Sequence, residues 1–73
     1  MTPAEAALAA SQIVGGQVEL ARRLGVSPPT VNQWCSAARP IPAKRAVQIE
    51  LMTEGKVSRK ELCPSFPWNQ LVA

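Results

Sequence analysis

Gly25, set in the run Leu-Gly-Val-Ser-Pro-Pro, most limits how this 73-residue chain can fold. Glycine enters the left-handed cap conformation at no steric cost and so ends a helix. Ser27 is a good N-cap, and Pro28 suits a first helical position, where a missing N–H is no loss; a new helix therefore starts at once. Before the glycine, Gln17–Leu24 carries Val18, Leu20, Ala21 and Leu24 at spacings that predict a short helix with one buried face. After it, Pro28 to about Ser36 carries Val31 and Trp34 on one side and leaves Thr30, Asn32, Gln33 and Ser36 on the remaining surface. Ala21 is small where the two helices cross closely, and Val26 plugs the corner between them. An ordinary helical hairpin does not require small, glycine and apolar residues at all of these offsets together.

Two short helices joined at a glycine turn describe a helix-turn-helix, whose second helix enters the DNA major groove. Thr30, Asn32 and Gln33 are then the base-reading candidates, since amides pair in two-pronged fashion with adenine and a threonine methyl packs on thymine. Pro28 and Pro29 have no backbone donor, so contacts there are apolar or absent. Ser27 and Ser36 are further candidates for phosphate or base. Gln17, at a helix N-terminus, suits a phosphate oxygen, or else is a solvated amide. Arg22 and Arg23 either complement the helix dipole or touch phosphate, and Glu19–Arg23 is an i,i+4 pair. Arg39 directly follows the reading helix and is expected at the sugar-phosphate rail. Lys44 and Arg45 oppose the dipole of a first helical turn, which an outside phosphate would explain.

The remainder also reads as helix, giving an all-α chain. Thr2-Pro3-Ala4-Glu5 is a capping box that starts a helix running to about Val14. Ala6, Ala9, Ala10 and Ile13, with Leu8 nearby, are its expected contact side. Arg39-Pro40-Ile41-Pro42 is a rigid connection. It leads to a helix from Pro42 to about Glu54, capped by Gly55. That helix has two apolar sides, Ala46–Ile49–Met52 and Val47–Leu51; the second meets another copy of the chain or is covered by the C-terminal segment. Ser58-Arg59-Lys60-Glu61 is a second capping box, starting one turn that carries Leu62 inward. Residues 61–73 form a largely extended tail, with Phe66, Trp68 and Leu71 packing on the domain or on a partner. Trp68 joins Val47 and Leu51 as a self-association candidate.

Composition excludes several functions. Two cysteines and no histidine leave no tetrahedral zinc site and no Ser-His-Asp or Cys-His arrangement. No glycine-rich phosphate loop is present, so neither catalysis nor a metal or other cofactor is expected. Cys35 reads as a small packed residue, and a pair of thiols without an export signal points to the reducing cytoplasm. Ala4–Ala10 is too short to span a bilayer and contains Glu5. A net charge of +3 and a pI near 9.4 only mildly favour nucleic acid. The length allows one domain, residues 1–73, with a small core.

The segments VGGQVELARRLGVSPPTVNQW, RPIPAKRAVQIE and GKVSRKELCP, with a following Trp, resemble the Cro-type, YdaS-like prophage regulators. The resemblance covers Val14 to about Trp68. It implies a compact lambda-repressor-like bundle of four or five helices that binds double-stranded operator DNA and represses transcription. One reading helix per copy covers only a few base pairs, so a homodimer at least on DNA and a roughly palindromic site are expected. The resemblance also implies phosphate contact for Gln17, base-facing positions for Thr30, Asn32 and Gln33, and backbone support from Arg39. Related proteins are described either as repressors or as antitoxins, the latter with a toxin partner that the Phe66/Trp68 tail would grip. Cys63 and Leu51 depart from the pattern, where a basic and a polar residue are usual.

Overall fold

The computed structural model describes residues 1–70, and the expectation for Leu71 falls outside them. Five α-helices follow in order: α1 (Pro3–Val14), α2 (Gln17–Leu24), α3 (Pro28–Cys35), α4 (Ala43–Met52) and α5 (Arg59–Leu62). A 3-10 turn, Trp68–Gln70, comes after them, and no strand occurs among the described residues. The architecture is the expected all-α helix-turn-helix bundle.

Helix α1 starts as the sequence predicts. Thr2 Oγ1 accepts from the Glu5 N–H at 3.1 Å, and the Thr2 N–H donates to Glu5 Oε1 at 2.9 Å. Its buried side differs from the expected one. Ala6, Ala7, Ala10, Ser11 and Val14 are buried, whereas Leu8 and Ile13 are 42% and 45% exposed. The helix packs against α2, α3 and α5, so the buried arc faces several neighbours and centres nearer Ala7 and Val14 than Ala9 and Ile13. An alanine-rich helix, apolar nearly all round, does not announce which arc that is. Ser11 tolerates burial because its hydroxyl donates to the Leu8 carbonyl at 2.7 Å.

Beneath α1 the core gathers Leu20, Val31, Trp34, Ile41, Ile49, Val57 and Leu62, all close to fully buried. Ala46 and Ile49 face inward with Met52 half-buried, as expected. Helix α4 is shorter than predicted at both ends: Pro42 is its N-cap, and Thr53 stands where the helix stops. Thr53 is buried; its hydroxyl donates to the Ile49 carbonyl at 2.9 Å and accepts from the Val57 N–H at 3.3 Å. That crosslink turns the chain back through Glu54 and Gly55, both at positive φ, and brings Val57 into the core.

The second capping box forms, Glu61 N–H to Ser58 Oγ at 3.2 Å, and Leu62 points inward as predicted. Glu50 ties α4 to α5: its carboxylate accepts from the Arg59 backbone at 3.0 Å and the Arg59 guanidinium at 2.6 Å, which lowers its pKa. The tail is not extended. Residues 63–67 turn, and the Trp68 Nε1–H donates to the Cys63 carbonyl at 2.8 Å. Phe66 packs on Trp68 as a tilted pair with ring centroids 4.5 Å apart, and the Arg59 guanidinium lies 5.5 Å from the Trp68 ring centroid. Trp68 is thus half-buried against its own domain, one of the two placements expected for it.

Candidate nucleic-acid interface

The α2–α3 corner is held by main-chain chemistry. Gly25 takes φ 75°, ψ 27°, and the Val26 N–H reaches back to the Ala21 carbonyl at 3.0 Å, the double-back bond of a left-handed helix cap. Ala21 is buried at the crossing and Val26 is half-buried against the core. Ser27 occupies the N-cap position of α3, but its side chain caps no backbone N–H. Pro28 and Pro29 supply no donors, and the Thr30 N–H goes to the Ser27 carbonyl at 3.0 Å. The Ser27 hydroxyl pairs with that of Thr30 at 2.9 Å.

Helix α3 divides by side. Val31 and Trp34 are buried, and they turn Pro29, Asn32, Gln33 and Ser36 outward. Asn32 and Ser36 are exposed and Gln33 is half-buried. Thr30 sits on the flank of this strip, half-buried and engaged with Ser27. Pro29, for which apolar contact or none was expected, is exposed in the strip and offers an apolar face of the kind a thymine methyl fits.

An unpredicted contact links the two motif helices: Asn32 Nδ2 donates to Gln17 Oε1 at 3.2 Å. Gln17, half-buried, lies on the α3-facing side of α2, whereas Val18 is 67% exposed. Val18 is thus corrected from its expected place on the buried face, which Leu20, Ala21 and Leu24 make without it. In this arrangement Gln17 keeps both amide N–H groups, and Asn32 keeps its carbonyl oxygen and one N–H.

The cations separate into two sets. Arg22 and Arg23 both bind Glu19, each with a 2.6 Å contact, which pulls the Glu19 pKa down to about 2 and raises that of Arg22. Arg45, expected on phosphate, is half-buried and faces inward. One guanidinium nitrogen donates to the Leu24 carbonyl at 3.0 Å and to Gln48 Oε1 at 2.9 Å. It therefore caps the C-terminus of α2 from α4, an internal carbonyl taking the place of the expected phosphate in the free protein. Arg39 and Lys44 are exposed, and their side chains make no hydrogen bond or ion pair among the described residues. Arg39 follows a tight exit from α3, in which Ala37 takes φ 64° and the Ala38 N–H returns to the Gln33 carbonyl at 2.9 Å.

On the outward side of α4, Leu51 is 70% exposed and Val47 half-buried, so none of the described tail covers Leu51. No helix among the described residues is long and apolar enough to cross a membrane. Burial raises the Cys35 pKa, which opposes thiolate reactivity.

A glycine-cornered pair of helices with an outward, uncharged polar strip on the second defines the class: a helix-turn-helix domain. Residues 7–71 match a family model described as bacterial toxin YdaS, and the chain belongs to that family. It is 50% identical over 62 residues to a candidate transcriptional regulator, YdaS of Escherichia coli (strain K12), covering 85% of this chain and 63% of that protein. It is 42% identical over 62 residues to the regulatory protein cro of Pseudomonas phage D3, covering 81% of each. The chain thus spans less than two thirds of the length of the first relative. No solved structure matches it.

Proposed function

We propose that the protein is a cytoplasmic, non-enzymatic transcriptional repressor of phage type that binds a palindromic operator as a dimer, with α3 in the major groove. The observation that carries this reading is the outward strip of Asn32, Gln33 and Ser36, backed by buried Val31 and Trp34 and tied through Asn32 to Gln17 at the start of α2. Asn32 retains the donor and acceptor that a two-pronged adenine contact needs, while Gln17 retains donors for a phosphate. Thr30 and Ser27 act as a hydroxyl pair at the edge of the strip, and Ser36, Arg39 and Lys44 support the backbone. The names of both relatives, a transcriptional regulator and a cro regulatory protein, support the same reading.

One copy covers only a few base pairs. Two copies related by a twofold would set their reading helices about 34 Å apart, one duplex turn. Val47 and Leu51 on α4 are the surface offered to the second copy. Two side chains fall far short of the roughly 800 Å² per partner of a stable interface. Pairing is therefore assigned to the DNA-bound state. The test is a titration against DNA upstream of the protein's own gene, with random duplex as competitor at fixed salt. A protected, roughly palindromic footprint is expected; equal affinity for both duplexes refutes the proposal.

A further inference from the structure

We propose that the cleft between the start of α1 and the strap leaving α3 binds a small amphipathic carboxylate. The cleft measures about 430 Å³, within the range of pockets that hold small organic ligands. Its wall is largely apolar, from Pro3, Ala4, Trp34, Ala37 and Pro40, and Arg39 is its one charged lining side chain. A smaller hollow of about 150 Å³ shares Pro3 and Pro40 and continues over Ile41 and Leu62, so an apolar body can run away from Arg39.

The one charge of the cleft and its apolar lining point to this ligand class. The Arg39 guanidinium has no partner among the described residues, and its planar fork matches a carboxylate with two parallel N–H bonds. Trp34 is 2% exposed, and its Nε1 is the one buried side-chain nitrogen or oxygen without a hydrogen-bond partner among the described residues. That orphan atom does not reach the cleft, so what Trp34 offers a ligand is ring surface. The Nε1 atom is shielded from solvent, so the indole ring makes the first contact. A bare inorganic anion leaves the apolar wall unused, whereas a carboxylate on an aryl or alkyl body uses both features. The regulatory consequence rests on the backbone role proposed for Arg39: a ligand held there competes with phosphate and weakens operator and random DNA alike.

The probe is 4-phenylbutyrate, followed by amide and indole resonances of the full chain, with 4-phenylbutanol as the neutral control. Saturable shifts are expected at Ala4, Ala37, Arg39 and the Trp34 indole, with a dissociation constant on the order of 1 mM. The alcohol should bind about threefold more weakly, and Arg39→Gln should remove that difference. Ala4→Leu should fill the cleft and abolish the shifts while the thermal melt stays cooperative. Lack of saturation, shifts centred on Phe66 and Trp68, or equal binding of acid and alcohol would each overturn the site. A second arm adds 4-phenylbutyrate to a DNA titration: affinity should fall for the unmodified protein and stay constant for Arg39→Gln. Saturable shifts at the cleft with unchanged DNA affinity would support the site and remove the phosphate role of Arg39 instead.

Discussion

Asn32 and Gln17 form a pair whose two members should fail differently, and a double-mutant cycle separates them. Asn32→Ala removes the proposed two-pronged base contact, worth about 1–3 kcal/mol of discrimination. Because its hydrogen bond to Gln17 is long, at 3.2 Å, and exposed, it adds little to the free protein. On DNA, under the proposed docking, the same bond should lose its competition with water and fix the Asn32 amide in the reading orientation. Gln17→Ala should therefore lower operator affinity by more than random-DNA affinity, through lost orientation added to a lost phosphate contact. A coupling of about 0.5–1.5 kcal/mol between the two substitutions is expected on operator and none on random duplex. The assay is fluorescence anisotropy at several salt concentrations. Asn32→Ala should cut the operator-to-random ratio about tenfold and leave the salt slope unchanged, since it removes no phosphate contact. A ratio preserved within about twofold, or a slope that falls with Asn32→Ala, would refute the assignment.

Arg45→Met should destabilise the fold by about 1–2 kcal/mol, read by thermal melting, because the Leu24 carbonyl loses a charged donor; the salt slope for DNA should not change. Ala37→Gly should stabilise by about 1 kcal/mol, since alanine at φ 64° bears a steric cost that glycine lacks, and the melting temperature should rise. Glu19 has its folded pKa depressed to about 2 by Arg22 and Arg23, so its contribution is complete above the unfolded carboxylate value and disappears as pH falls toward 2. Glu19→Gln should lower the melting temperature slightly at pH 7 and lose that difference as pH falls toward 2; a difference that does not shrink in acid would count against the triad. Leu51→Lys should cost no stability, given 70% exposure, but should weaken cooperative operator binding and leave half-site binding intact in sedimentation and gel-shift measurements.

The α2–α3 corner was legible because its determinants are local: a glycine that must take positive φ, a serine and two prolines that restart the helix, and a strict inner pair in Val31 and Trp34. Both capping boxes were legible for the same reason. What the sequence left unread depends on distant partners without a side-chain signature. Arg45 binds a main-chain carbonyl 21 residues away, and no spacing rule marks a carbonyl. Thr53 ends α4 by crosslinking Ile49 and Val57, which a propensity argument counts as one indifferent residue in a helix. The indole of Trp68 folds residues 63–67 back on the Cys63 carbonyl, a contact that no local pattern in the expected extended tail announces. Among the candidate readers, burial against Trp34 selected Asn32, Gln33 and Ser36, but the Gln17–Asn32 bond required the actual crossing of two helices.

The partition of the cations also limits how this domain can bind tightly. Of eight basic residues, Arg22, Arg23 and Arg59 bind carboxylates and Arg45 binds a carbonyl. Near the reading helix in sequence, only Arg39 and Lys44 are exposed without an internal partner among the described residues. If each neutralises one phosphate, a monomer should show a log–log salt slope of about −1.8 and a dimer about −3.6. Such slopes are shallow for a DNA-binding protein, so electrostatics alone gives weak, indiscriminate association, and operator affinity must come from base contacts doubled across a twofold. The slope thereby reports stoichiometry. A half-site duplex and a full palindrome should differ twofold in slope, whereas equal slopes would mean that a single copy accounts for all binding and that the exposed Leu51 surface plays no part on DNA.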